Sequence, residues 1–100
     1  MTTKVALMIS DAAPARELAE SLARGGFYIE FAYSGEAGLA RVRCRAPTMA
    51  VVGPLPASAA VRELLEKLGQ LGVQTLVISR EPGIVELADQ LGMPVRTPGS

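Results

Sequence analysis

The chain has 100 residues, of which 49% are hydrophobic, 20% charged and 4% aromatic. This balance suits one soluble domain, residues 1–100, with an aliphatic core, and excludes a disordered tail. Ten basic and ten acidic side chains cancel, so no global field recruits nucleic acid or an anionic membrane. The single Cys44 excludes an internal disulfide and fits a reducing cytoplasm. Without histidine the chain lacks the commonest general base and any imidazole metal site. No apolar run approaches the ~20 residues of a spanning helix. The N-terminal MTTKVALMIS reads as a first strand and not as a signal peptide, because no small-residue cleavage site follows.

In chain order, the apolar run Lys4–Ile9 predicts a buried strand. Asp11 opens a helix over Ala12–Arg24, with Leu18, Ala19, Leu22 and Ala23 on one face and Gly25-Gly26 as its stop. Phe27–Ala32 predicts a second strand, and Glu30 within it marks a half-exposed edge. Ser34 caps a helix Gly35–Arg45 whose inward residues are Leu39, Ala40 and Val42. The stretch Thr48–Pro56, TMAVVGPLP, has an apolar run that needs cover on both faces, so it predicts the central strand of a parallel sheet. Helix Ser58–Leu71 follows, with Val61, Leu64, Leu65 and Leu68 inward, then strand Val73–Ile78. Pro82 starts a short helix with Ile84, Leu87, Ala88 and Leu91 inward, and Met93–Thr97 makes a brief fifth strand. Strands alternating with helices across short loops imply a parallel sheet with right-handed crossovers.

In this order the pieces VALMISD, AYSGEAGLA, PTMAVVGPLP, TLVISR and PVRTP resemble the receiver domain of bacterial two-component response regulators over nearly the whole chain. The resemblance implies a flavodoxin-like α/β sandwich of three layers with a five-stranded parallel sheet of order 2-1-3-4-5. The chain ends before the family's last helix, so one sheet face is expected to lie open and to bind a protein partner or a second copy.

Receiver chemistry uses an acidic pair for magnesium, a phosphoacceptor aspartate, a hydroxyl residue and a lysine. Position by position, these fall on Ser10 and Asp11, Gly53, Ser79 and Thr97, with the switch aromatic on or near Pro94. Asp11 and Ser79 match. Gly53 has no carboxylate to accept a phosphoryl group, and Thr97 brings no cation to it. Asp11 is the one candidate metal ligand and supplies too few oxygens for magnesium by itself. The resemblance therefore implies a degenerate, non-phosphorylated pseudo-receiver: no enzyme, no cofactor, and a regulatory role through protein–protein contact.

Each marked residue also has an ordinary reading. Asp11 suits a helix N-cap, Ser79 a hydroxyl bonded to local backbone, and Gly53-Pro54 a tight strand exit. The basic residues Arg24, Arg41, Arg43 and Arg45 read as solvated helix ends, and Cys44 as a buried or half-buried small residue. Tyr28, Phe31 and Tyr33 flank the edge strand as interface candidates. A second functional reading is a phosphate- or phosphosugar-binding domain. Residues from LLEKLGQLGV to PVRTPG are similar to the second half of sugar-isomerase-type domains, which implies an anion cradle at Ser79 and Arg80.

Overall fold

The structure, a computed structural model, describes residues 3–10 and 16–98. Five strands alternate with four helices among these residues: β1 Val5–Ile9, α1 Arg16–Arg24, β2 Tyr28–Ala32, α2 Gly35–Cys44, β3 Met49–Val52, α3 Ala59–Gln70, β4 Gln74–Ile78, α4 Pro82–Gln90 and β5 Val95–Arg96. The strands form one parallel sheet in the order β2-β1-β3-β4-β5. This is the expected flavodoxin-like topology, with β3 at its centre. Asp11, its proposed N-cap role and its candidate metal role lie outside the described residues.

Strand alternation divides the core into two layers. Leu7, Ile9, Ala50, Val52 and Val77 face α2, α3 and α4 and pack with Leu39, Val61 and Leu64 in the larger cluster. Met8 and Val51 point the other way, onto Ala19 of α1, with Leu18 and Leu22 partly buried beside them. Within α2 and α3 the helical period decides burial. Gly35, Gly38, Leu39 and Val42 are buried on α2, and Val61, Leu64, Leu65 and Leu68 on α3.

Two expectations about α2 are corrected. Ala40 is exposed, because it stands about 100° round the helix from Leu39. Cys44 is also exposed, since two residues beyond Val42 is about 200° away, on the solvent face. On α1, Ala23 is exposed in the last turn, although it shares a face with Ala19.

The helix starts follow the sequence signals. Ser34 Oγ accepts the Ala37 amide at 3.0 Å, and Ser58 Oγ accepts that of Val61 at 3.2 Å. Past the ends of α3 and α4, Gly72 and Gly92 take φ of 68° and 74°, the left-handed region that glycine enters without a Cβ penalty. Helices α2 and α3 approach closely because Gly35 has no side chain: a Cβ there would stand 2.7 Å from Val61 Cγ2.

Arg24, Arg43 and Arg45 are exposed, as expected of solvated helix ends, whereas Arg41 is half-buried and paired. Arg41 donates from Nε to Glu30 Oε2 at 2.6 Å and from Nη2 to Glu30 Oε1 at 2.5 Å, a two-pronged bond from α2 to β2. Its Nη1 also donates to the Arg45 carbonyl. These side-chain hydrogen bonds, with the charge of Arg41 behind them, hold the Glu30 carboxyl below its ordinary pKa and raise that of Arg41. Arg43 pairs with Glu63 in an exposed bridge between α2 and α3. The fifth strand contracts to Val95–Arg96, both exposed. Pro94 has no N–H for the ladder, although its carbonyl accepts the Val77 amide at 2.9 Å.

Candidate functional site

The parallel sheet brings the ends of β1, β3, β4 and β5 to one edge, where α/β sheets place their ligands. Backbone bonds carry the ladder one residue past three of these strands. Ser10 N–H donates to the Ala32 carbonyl at 3.0 Å, Gly53 N–H to the Ile9 carbonyl at 2.6 Å, and Ser79 N–H to the Arg96 carbonyl at 3.0 Å. Ser10, Gly53 and Ser79 are all buried, whereas Thr97 is exposed.

Gly53 and Ser10 are in close register. A Cβ built on Gly53 would lie 2.9 Å from both Ser10 Cβ and Ser10 Oγ, and 3.2 Å from the Ile9 carbonyl oxygen. The third-strand end thus lacks a carboxylate and has no room for one while Ser10 stays where it is.

At the β4 end, Ser79 Oγ accepts the Glu81 amide at 3.0 Å, a local turn in front of α4. Arg80 does not converge with it on a shared point, because its Nη2 donates to the Pro98 carbonyl at 2.7 Å. Helix α4 has no side-chain cap bond at Glu81, and Pro82 occupies its first turn. Among the described residues no group of three or more Cys, Asp or Glu side chains is placed to hold a metal ion.

The interface candidates lie on and just after β2, an outer strand of the sheet. Tyr28 is 62% exposed, Phe31 53% and Tyr33 71%. The Phe31 and Tyr33 rings stack, with centroids 6.4 Å apart and planes 11° from parallel. On the sheet face shared with α1, Met49, Leu76 and Ile78 are only half-buried, and α1 is the one described helix there. A groove between α2 and α3, lined by Leu39, Arg43, Glu63, Glu66, Lys67 and Gln70, is far from the strand ends and carries charges of both signs. No described helix is long and apolar enough to cross a membrane.

Sequence reasoning did not find the Gly53–Ser10 contact or the Glu30–Arg41 pair. Both depend on which strands and helices become neighbours. An acidic residue inside an apolar strand was the only available signal, and it pointed to an edge without naming the partner.

The described residues define an α/β protein of flavodoxin-like fold with hydroxyl and glycine residues at its strand ends. No protein-family model matches the sequence, and no curated protein matches it. Solved structures do. A response regulator receiver domain protein (CheY-like) from Methanospirillum hungatei aligns with TM-score 0.74 and 20% identity, covering 99% of this chain and 85% of that one. A response regulator protein from Burkholderia multivorans aligns with TM-score 0.71 and 24% identity, over 99% of this chain and 86% of the other. A de novo designed Rossmann 2x3 fold protein aligns almost as well, with TM-score 0.72 and 19% identity, over 99% of this chain and 80% of the designed one. Because a designed scaffold matches as well as natural receivers, the likeness is one of fold.

Proposed function

We propose that this chain is a receiver-like signalling domain that acts by binding other proteins, without aspartyl phosphorylation and without catalysis. The observation that carries the reading is the pair Gly53 and Ser10. The position where a receiver would carry its phosphoacceptor has no side chain, and its neighbour occupies the space a side chain would need. Thr97 at the end of β5 adds no cation that would stabilise transferred phosphoryl charge. The receiver-like solved structures support the signalling class through fold.

The phosphosugar reading has less support, since the Ser79 hydroxyl accepts a local amide and the Arg80 guanidinium is tied to Pro98. Incubation with acetyl phosphate and magnesium, followed by intact-mass analysis, tests the proposal. The expected result is no phosphoryl adduct. A phosphorylated residue would overturn it. Amide NMR titration with a sugar phosphate checks the alternative, which requires saturable shifts centred on Ser79.

A further inference from the structure

We infer that the β2 edge is a homodimerisation surface on which two copies pair as antiparallel strands about a two-fold axis at Phe31. This goes beyond the signalling reading and stands or falls separately from it.

Strand β2 is an edge of the sheet. Tyr28 N–H donates to the Lys4 carbonyl at 2.7 Å, and the Ala32 carbonyl accepts from Ser10. By alternation, Tyr28, Glu30 and Ala32 turn their backbone groups toward β1, and those of Ile29, Phe31 and Tyr33 turn outward. Natural edge strands are guarded by shortness, lysine, proline or a bulge. The opposite edge, β5, is guarded by having two residues. Strand β2 has five residues, YIEFA, with no lysine, no proline and no positive φ. Its one charge, Glu30, is already bound by Arg41 of the same chain.

Three of the five exposed large hydrophobic residues among those described, Tyr28, Phe31 and Tyr33, belong to this edge. Their exposed portions amount to on the order of 400 Å² per copy. A symmetric pair could withdraw at most about 800 Å² of aromatic surface, so Ile29 and the edge backbone must bring the total past the ~1,000 Å² of a small specific interface, which places the pair among weak dimers.

The charges and side chains select the register. An axis at Glu30 would set two carboxylates directly opposite each other, which is unfavourable. An axis at Phe31 sets Phe31 against Phe31 of the partner subunit and Ile29 against the partner's Tyr33. Glu30 then faces the partner's Ala32, and the two Glu30 side chains move from directly opposite to a diagonal, each held by its own Arg41. The outward amides and carbonyls of Ile29, Phe31 and Tyr33 also find partners in this register. The alternative surface on the α1 side, Met49, Leu76 and Ile78, is half-buried, and none of the three is among the exposed large hydrophobic residues.

Sedimentation equilibrium of the full chain across the micromolar range tests the inference. The expected result is reversible dimerisation, weakened at least ~10-fold by Phe31→Lys and unchanged by Leu71→Lys, which alters an exposed residue beyond the end of α3. Circular dichroism checks that both variants fold. In a mixed sample of isotope-labelled and unlabelled chains, filtered NOEs should join Ile29 methyls to the ring of the partner's Tyr33. A wild-type monomer throughout overturns the inference. So does a dimer indifferent to Phe31→Lys, or a dimer with no NOE between Ile29 and the partner's Tyr33.

Discussion

Gly53 and Ser10 are interlocked at the ends of adjacent parallel strands: a Cβ on Gly53 would fall 2.9 Å from Ser10 Cβ, inside any real carbon–carbon contact. Ser10 Cβ is fixed to the backbone of the β1 end and has no rotamer that moves it away. The two positions must therefore be considered together: a side chain at 53 requires Ser10 or its strand end to shift.

Gly53→Ala should destabilise the fold by about 1–3 kcal/mol, the range for overpacking a filled site. Ser10→Gly in the same chain should recover part of that loss, giving a coupling energy of about 0.5–3 kcal/mol in a double-mutant cycle. Urea unfolding of the four proteins measures it. Simple additivity would show that the contact is not the source of the cost.

Gly53→Asp should not restore phosphorylation by acetyl phosphate, because Ser10 brings no carboxylate for magnesium and Thr97 supplies no cation. Mass spectrometry of the variant with magnesium present decides this. An adduct on Asp at position 53 would show that one substitution suffices to revive the chemistry.

The Glu30–Arg41 pair makes stability depend on pH. The folded carboxyl has a lowered pKa, so the unfolded chain binds the proton more readily. The stabilisation is complete above the unfolded value of about 4.3 and is lost as pH falls through the lower folded value. Arg41→Ala should cost about 1 kcal/mol near neutral pH, a modest figure because the pair is partly exposed. The gap between wild type and variant should narrow in acid, as followed by denaturant unfolding at a series of pH values.

Ser79→Ala should lower stability by about 1 kcal/mol through loss of the acceptor for the Glu81 amide in front of α4. In a domain of this size, that corresponds to a fall of roughly 4–8 °C in Tm. Calorimetry tests it. A change several-fold larger would indicate a wider role for the hydroxyl.

Leu64→Ala should cost about 2–5 kcal/mol. Leu64 is fully buried in the larger core cluster between α3 and the sheet. Thermal unfolding compared with an exposed-face control such as Glu66→Ala measures the difference.

The order of elements was legible from local signals, because apolar runs, helical spacing and the glycine and serine boundaries are properties of neighbouring residues. Val61, Leu64, Leu65 and Leu68 are inward as their spacing required. Ala40 and Cys44 are not, because small residues give little amphipathic signal and only their angle relative to Val42 decides their burial.

The sequence by itself determined that Gly53 bears no carboxylate, that Thr97 is not a lysine, and that five apolar stretches alternate with helices. Only the tertiary structure decided that Ser10 fills the space beside Gly53, that Glu30 is held by Arg41, and that the Phe31 and Tyr33 rings stack exposed at a sheet edge. Residue type and local period are written along the chain. Which strand lies beside which, and what a missing side chain leaves open or closed, depends on contacts between residues far apart in it.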